Sequence, residues 1–347
     1  MATQDKALPE LIEGNKPFMS IEFFPPKTDA GVESLYKCLE KLKVFNPRFA
    51  DVTWGAGGST SDLTVTLCEG IKERGVVPNM HLTCTNQAKE KVDMALKSCS
   101  ASGITNILAL RGDPPAGETV WTASDANFAC ALDLVKYIKE NKQFGEFNIT
   151  VAGYPEGHPA AMKEVPEGIS ALTESEKTRY STSTNEETGE TTVICCRDED
   201  YVKEMTYLKA KVDAGATAII TQMFFDVEVF GIFVKDCRQY GIMVPIIPGI
   251  MCVGNLGGFK RMTGFCKTRI PEAIMSTLEK AGEVLGEGEE AVKAAGDKVK
   301  AAGIEIVVDM CTRLVELGTP GLHFYTLNTS AATMAIMEKL IANGVMA

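Results

Sequence analysis

The stretch FMSIEFFPPKTDAGVESLYKCLEKLKVFNPRFADVTW, residues 18–54, contains the pattern that decides the fold. An apolar run at Phe18–Phe23 ends at two prolines, helical spacing covers Gly31–Val44, and a second apolar run follows at Phe49–Thr53. Near-continuous apolar runs are typical of parallel strands that are covered on both faces, and helical spacing between them indicates a crossover helix. We therefore predict one β-α-β unit here.

The same alternation repeats along the chain. The first four predicted strands begin at residues 18, 49, 78 and 106, so they are 31, 29 and 28 residues apart, about the length of one βα unit. Eight such units favour a closed (β/α)8 TIM barrel over a doubly wound sheet, which uses the same alternation. The predicted strands are Phe18–Phe23, Phe49–Thr53, Pro78–Thr83, Asn106–Leu110, Asn148–Gly153, Thr217–Thr221, Val244–Ile247 and Leu322–Tyr325. The other predicted helices are Ser61–Arg74, Gln87–Ser102, Asp125–Asn141, Asp200–Ala214 and Val227–Tyr240.

Two intervals between strands are long enough to hold insertions into a single domain spanning residues 1–347. The first, at about 164–197, is polar and rich in threonine, and we expect a mobile excursion there. The second, at about 279–303, has the lysine, glutamate and alanine pattern of a solvated helical extension, interrupted by glycines.

Composition excludes several classes of protein. The 347 residues are 45% hydrophobic and carry a net charge of -11, which argues against a broad surface for nucleic acid or anionic membranes. The start lacks a signal peptide pattern and no stretch of 18 uncharged apolar residues occurs, so we expect a cytoplasmic protein. The 11 cysteines form no C-x-x-C pair, so neither a disulfide framework nor a zinc site is indicated.

Polar residues stand at nearly every predicted strand end. In a barrel these ends meet at one rim, where reactive groups collect. Glu22 lies beside two phenylalanines, where a partly desolvated carboxyl is suited to be a general acid, although simple pairing with a lysine or arginine is the structural alternative. The strand ends supply Glu22, Thr53, Trp54, His81, Arg111, Gly112, Asp113, Tyr154, Glu156, His158, Gln222, Tyr325 and Asn328.

The sequence LRGDPP at 110–115 places three such residues together. Arg111 is suited to hold a phosphate, Gly112 lets a ligand approach the backbone, and Asp113 is suited to stabilise positive charge. A surface Arg-Asp pair in a tight turn is the alternative. The three histidines, His81, His158 and His323, show no metal-ligand spacing, which disfavours a metal site. Lys209 and Lys211 lie on a predicted helix, either on a solvated face or as a phosphate anchor.

The ordered motifs resemble those of the methylenetetrahydrofolate reductase family from about Ile21 to about Ile341. They are EFFPP (22–26), VTWGAGG (52–58), HLTC (81–84), LRGDPP (110–115), AGYPEGHP (152–159), KVDAGA (211–216), ITQMFFD (220–226), IPGI (247–250) and HFYTLN (323–328). The resemblance implies a barrel with non-covalent FAD and ping-pong reduction of methylenetetrahydrofolate to methyltetrahydrofolate by NAD(P)H, in the one-carbon metabolism that supplies methionine synthesis. It also implies a form without the C-terminal regulatory domain of many eukaryotic relatives.

Site residues follow by motif. Glu22 resembles the family's general acid, and Asp113 resembles the carboxylate that positions the pterin and lies near the flavin; both are then catalytic and substrate-binding residues. Gln222 and Tyr325 match further substrate contacts. The positions that match flavin contacts are Thr53, Trp54, His81, Arg111, Gly112, Asp113, Cys130, Ala131, Tyr154, His158, Pro159, Ala160, Ala161 and Lys211.

The chain departs from the family pattern at four positions: Cys130 replaces a tyrosine, Glu204 an aspartate, Thr329 an arginine and Cys252 a proline. Two alternative functions stay open at this point: another FAD barrel oxidoreductase, such as one resembling proline dehydrogenase, and a non-catalytic flavin or folate binding protein. The sequence leaves the choice between NADH and NADPH undecided. It also leaves the oligomeric state open, with a homo-oligomer among the alternatives.

Overall fold

The computed structural model describes residues 5–14, 16–54, 61–84, 88–112, 128–184 and 188–347, without the side chains of Ser61 and Ser183. Asp113 and the WGAGG loop from Gly55 onward lie outside the described residues. The helices are α1 (Leu8–Ile12), α2 (Asp29–Leu42), α3 (Ser61–Glu73), α4 (Lys89–Ser102), α5 (Ala131–Glu140), α6 (Asp198–Asp213), α7 (Val227–Gln239), α8 (Leu256–Phe265), α9 (Glu272–Ala281), α10 (Glu289–Glu316) and α11 (Ala331–Ala342). No described helix is long and apolar enough to cross a lipid bilayer.

Parallel strands form the predicted (β/α)8 barrel. They are β1 (Phe18–Phe23), β2 (Ala50–Val52), β3 (Pro78–Thr83), β4 (Asn106–Leu110), β5 (Asn148–Gly153), β9 (Ala216–Thr221), β10 (Ile246–Ile247), β11 (Gly249–Met251) and β12 (Gly321–Tyr325). Their order is β10-β9-β5-β4-β3-β2-β1-β12-β11. Because only Pro248 separates β10 from β11, the two ends of this order are one strand and the barrel closes.

The seventh barrel strand is longer than the predicted Val244–Ile247. Proline has no amide hydrogen, so the ladder is interrupted at Pro248. Its carbonyl nevertheless accepts a hydrogen bond from the His323 amide at 3.0 Å. The strand therefore pairs with β9 before the proline and with β12 after it.

The first insertion contains regular structure where we expected a mobile excursion. Strands β6 (Met162–Glu164), β7 (Tyr180–Thr184) and β8 (Thr191–Cys196) form an antiparallel sheet in the order β6-β8-β7. Threonine is β-branched and favours strands, a preference that the polar composition obscured. The sheet is held by the buried Arg179, whose guanidinium donates to Asp198 at 2.5 Å and lies over the Tyr201 ring.

The second insertion is helical, as predicted, and consists of the end of α9 and the first half of the 28-residue α10. The predicted helix Asp125–Asn141 begins later, at Ala131. Cys130 is its N-cap, and the Asp133 carboxylate accepts from the Cys130 amide at 3.2 Å, which fixes the start of α5.

Side chains alternate along the barrel strands between an outer and an inner layer. On β1, Met19, Ile21 and Phe23 pack in the main apolar core, while Phe18 packs in a second cluster that contains residues of α1. The Leu8 amide of α1 donates to the Asn106 side chain at 2.8 Å. Helix α1 therefore covers the amino-terminal end of the barrel, and Ser20 and Glu22 face inward toward the opposite end.

Two glycines of α10 offer a matched test of helix packing. A Cβ at Gly303 would lie 2.6 Å from the Val253 Cβ, whereas a Cβ at Gly296 would meet nothing within 4 Å. We expect Gly303→Ala to lower the free energy of unfolding by about 1–3 kcal/mol, because α10 must move away from Val253. Gly296→Ala should raise it by about 0.5–1 kcal/mol, because alanine loses less conformational entropy in a helix. Urea unfolding of both variants measures this, and equal changes would contradict the close packing.

Candidate active site

A cluster of ionisable side chains surrounds Glu22 at the carboxyl end of β1. Glu22 lies across from Tyr325 of β12 and from Asp51 of β2 in the parallel register. Its Oε2 lies 3.5 Å from the Nε2 of His323 and 3.5 Å from the Nε2 of His81. Glu22 therefore contacts two imidazoles and no lysine or arginine among the described residues, so the structural alternative of a simple salt bridge does not hold.

His323 is held from both sides. Its Nδ1 lies 2.9 Å from the Ser20 hydroxyl, its register partner on β1, and its ring stacks on Phe49 at a centroid distance of 5.9 Å. The ring is fully buried. These contacts fix the imidazole with its Nε2 toward Glu22, so that Ser20, His323 and Glu22 form a continuous chain of polar contacts.

His81 lies between two carboxylates. Its Nε2 is 3.0 Å from the Oδ2 of Asp51 and 3.5 Å from Glu22. Burial lowers the pKa of His81, but the hydrogen bond to Asp51 and the charges of Glu22 and Asp51 outweigh it, so the net pKa is raised. The two carboxylates therefore stabilise the charged form of the His81 imidazole.

Asp51 was missed from sequence. It is fully buried, and its Oδ1 has no hydrogen-bond partner among the described residues. A carboxylate inside the short apolar run FADV was the available signal, the same signal that singled out Glu22 on the preceding strand. The expectation that reactive groups collect at strand ends does not point to Asp51, because Asp51 lies in the middle of β2.

The loops after β1 and β12 are tied together above the cluster. The Phe24 amide donates to the Asn328 side chain at 3.0 Å, and the Asn328 amide group donates back to the Phe24 carbonyl at 2.8 Å. The Thr326 hydroxyl donates to the Glu22 carbonyl at 2.6 Å. These bonds fix the point at which β1 stops and where Glu22 lies.

Tyr325 and Gln222 lie at the carboxyl ends of β12 and β9, the two strands that flank the strand formed by β10 and β11. The Tyr325 hydroxyl donates to the Thr221 carbonyl at 2.6 Å, and burial raises the pKa of Tyr325 well above its usual value. Gly249 permits this approach, since a Cβ there would lie 2.4 Å from the Tyr325 hydroxyl. The Gln222 Oε1 accepts from the amide of Met223. Tyr325 belongs to the cluster, and Gln222 is on the adjoining part of the rim.

A pocket of about 310 Å³ opens on the same rim, at the ends of β4 and β5 and against α6. Three nitrogen-bearing side chains converge on it, Arg111, His158 and Lys211. Of the predicted flavin contacts, those that line it are Arg111, Cys130, Ala131, Tyr154, His158, Ala160, Ala161 and Lys211. The structure thus brings these eight residues together from separate parts of the chain.

Two cationic side chains, Arg111 and Lys211, give this pocket positive charge. Burial lowers the pKa of Lys211 to about 8, and its ammonium donates to the Ala152 carbonyl at 2.8 Å. Burial and the charges of Arg111 and Lys211 lower the pKa of His158 to about 4, so His158 is neutral. Its Nδ1 accepts from the Ala160 amide at 3.0 Å. Lys211 is therefore not on a solvated face, unlike Lys209, which pairs with Asp213.

Glu204, which departs from the family pattern, also lines the pocket. Burial raises the pKa of its carboxyl, opposed by Lys211 and Arg111. The side chain is thus the acidic group that faces the two cations of the pocket. Cys130 is in the pocket wall as the N-cap of α5.

Other predicted residues lie on the rim outside the pocket wall. Trp54 is buried, and its Nε1 has no hydrogen-bond partner among the described residues. Glu156 instead accepts from the Arg269 amide at 2.9 Å and is fully buried, with its pKa raised to about 8 by burial. Thr53, Gly112 and Pro159 adjoin the two groups of site residues without lining the pocket.

Comparisons with known proteins agree with this geometry. The family model described as methylenetetrahydrofolate reductase matches residues 7–341. The chain is 42% identical to methylenetetrahydrofolate reductase (NADH) 1 of Arabidopsis thaliana, over 98% of this chain and 51% of the relative. It is 32% identical to 5,10-methylenetetrahydrofolate reductase of Salmonella typhimurium, over 93% of this chain and 90% of the relative.

The fold has a solved counterpart. An uncharacterized protein from Clostridium thermocellum that binds two copies of 5-methyl-5,6,7,8-tetrahydrofolic acid superposes with a TM-score of 0.57 at 14% identity, covering 96% of this chain and 98% of that one. This likeness shows the barrel fold. The chain spans about half the length of the plant relatives it matches. The match along residues 7–341, together with these identities, shows that the chain belongs to the methylenetetrahydrofolate reductase family.

Proposed function

We propose that this chain reduces methylenetetrahydrofolate to methyltetrahydrofolate with NAD(P)H, using FAD. The observation that carries the proposal is the Glu22 carboxyl, placed at the barrel rim and in contact with two imidazoles. The reaction consumes one hydride equivalent and one proton per folate, so it needs a proton donor beside the substrate. Family relatives named for NADH and for NADPH both exist, so the proposal includes either nicotinamide.

Glu22 is the proposed proton donor. Transfer of its proton to the bridge nitrogen of the folate opens the five-membered ring and leaves an iminium, which is then reduced to the methyl group. The carboxyl must be protonated before each turnover, and His323 and His81 are the groups within 3.5 Å that exchange protons with it. Ser20 and Phe49 hold the His323 ring in place for this exchange.

The pocket fits the diphosphate part of FAD. Arg111 and Lys211 supply positive charge, and Glu204 is the acidic side chain that acts on Lys211 without forming a salt bridge with it among the described residues. An anionic group there offsets the cost of burying its ammonium. The indole nitrogen of Trp54, which has no hydrogen-bond partner among the described residues, is a further donor at this rim. When bound, FAD accepts a hydride from NAD(P)H and delivers it to the folate.

The substrate contacts come from the cluster side of the rim. Tyr325 lies across from Glu22 and Gln222 follows β9 on the same rim, and both are proposed to hold the pterin with hydrogen bonds. Asp113 is proposed to position the pterin and support the cationic intermediate, and it follows directly on the described Arg111 and Gly112 of the pocket edge. Thr53, His81 and Gly112 are proposed as flavin contacts together with the residues that line the pocket.

Replacement of Glu22 tests the proton donor. We expect Glu22→Gln to keep bound flavin and to keep oxidation of NAD(P)H with menadione. The rate of folate reduction should fall by at least about 100-fold, because the glutamine amide is not acidic enough to protonate the folate. Stopped-flow absorbance of the flavin separates the two half-reactions. Glu33→Gln, on the exposed face of α2, is the matched control. Unchanged folate turnover in Glu22→Gln would remove Glu22 from this role.

Replacement of Lys211 tests the pocket. We expect Lys211→Met to weaken FAD binding by roughly 10–100-fold, because one hydrogen bond from a charged group is lost. The same change should stabilise the flavin-free protein, because it removes a buried ammonium. The folded pKa of about 8 is below the ordinary value, so this gain is fully present below pH 8 and shrinks as the pH rises above it.

Fluorescence titration with FAD and urea unfolding at pH 7 and pH 10 measure the two effects of Lys211→Met. Lys209→Met, two residues away on the same helix and paired with Asp213, is the control and should change neither quantity more than twofold. Equal FAD affinity in Lys211→Met and the parent protein would show that Lys211 does not contact the cofactor.

A further inference from the structure

The side chains around Glu22 also have the atom types and the spacing of a set of metal ligands. One ligand atom each from Glu22, Asp51 and His81 lies within 4.8 Å of the others. The His323 Nε2 is 3.5 Å from the Glu22 Oε2 and 4.0 Å from the Asp51 Oδ2. Two carboxylates and two imidazoles therefore present their donor atoms to one small volume, although no pair of them shows a metal-binding spacing in the sequence.

The spacing of the donor atoms suits zinc. Zinc binds nitrogen and oxygen at about 2.0–2.2 Å in a tetrahedral arrangement, so its ligand atoms lie about 3.3–3.5 Å from one another. The distances from His81 to Asp51 and Glu22 are 3.0 and 3.5 Å, and His323 to Glu22 is 3.5 Å. Magnesium and calcium prefer oxygen ligands in larger shells, so a set that includes imidazole favours zinc over both.

The surroundings of the cluster meet two further requirements of a metal site. Asp51, His81 and His323 are almost completely buried, so their positions are fixed by packing. The His323 ring contacts Ser20 through the nitrogen that does not face the cluster, an arrangement that orients metal-binding histidines. The Asp51 Oδ1 is a buried acceptor without a partner among the described residues, which leaves it available to a cation.

We propose that Glu22, Asp51 and His81, with His323 beside them, form an inhibitory Zn²⁺ site. Binding replaces the proton on the His81 Nε2 and the proton on the Glu22 carboxyl by the metal, and both displaced protons leave to solvent. Two carboxylates balance the charge of the cation. A metal-bound Glu22 carboxylate carries no proton, so zinc binding removes the proton donor of the proposed reaction. This inhibitory consequence rests on the proposed function, whereas zinc binding itself does not.

Equilibrium dialysis of the flavin-loaded protein against zinc sulfate, with zinc measured by mass spectrometry, tests the site without turnover. We expect one zinc per chain, and at least tenfold weaker binding in Asp51→Asn and in His81→Gln. His158→Gln, which changes the histidine of the other pocket, and Cys130→Ser, which removes a partly exposed thiol, should retain the zinc. Magnesium chloride should not compete.

Two results would contradict the proposed zinc site. Zinc that stays bound in Asp51→Asn and His81→Gln would be held by other groups, such as thiols, and would overturn the site, as would the absence of stoichiometric zinc. Far-ultraviolet circular dichroism of each variant confirms that loss of zinc is not loss of the fold. If Asp51→Asn does not fold, Asp51→Glu, which keeps the charge but moves the oxygen atoms, should still bind zinc at least tenfold more weakly.

The two half-reactions test the inhibitory role. Saturating zinc should slow oxidation of reduced flavin by methylenetetrahydrofolate at least tenfold, while reduction of the flavin by NAD(P)H changes less than twofold. Stoichiometric zinc with both half-reactions unchanged would overturn the inhibitory role. A protein that binds zinc at this site but reduces no folate would instead contradict the proposed function and leave the metal site standing.

Discussion

The parallel register of β1 with its two neighbours is the constraint on which the site depends. It sets Ser20 across from His323, and Glu22 across from both Tyr325 and Asp51. These residues are up to 303 positions apart in the chain, yet the register brings their side chains together. A shift of one residue would turn Ser20 and Glu22 into the apolar layer under the helices. The hydrogen bonds of the backbone therefore fix the chemistry of the rim.

The two halves of the rim differ in charge. Strands β12, β1, β2 and β3 supply carboxylates and imidazoles, whereas β4, β5 and the adjoining α6 supply Arg111, His158 and Lys211. The carboxylate and imidazole groups and the pocket with Arg111 and Lys211 thus lie on separate strands of one barrel. Lys211 is buried on the second half, and burial, which is unfavourable for an ammonium, lowers its pKa to about 8.

Much of this arrangement could be predicted from sequence, for physical reasons that differ by residue. The strands were recognised because their apolar runs are continuous. Glu22 was recognised because it is a carboxylate within such a run, near its carboxyl end, and Tyr325 because it ends such a run. Asp51 was missed because only register shows that a residue in the middle of a short strand reaches the same cavity. The threonine-rich insertion was misjudged because its sheet is held by contacts between distant residues, such as those of Arg179 with Asp198 and of Arg269 with Tyr180, which local composition does not indicate. Asp113 lies outside the described residues, so its role stays a prediction.

Pro248 has a consequence for the barrel as a whole. It divides one strand into segments of two and three residues, and each segment pairs with a different neighbour. The β5–β9 ladder contains a register shift between Ile149 and Thr150, whereas the strand at Pro248 lacks an amide donor at its centre. If the barrel opens locally before it unfolds globally, the fewest backbone hydrogen bonds have to break at this strand, because β10 pairs with β9 through only two residues. The rim beside Tyr325 would then widen, and a bulky planar molecule would have a way in.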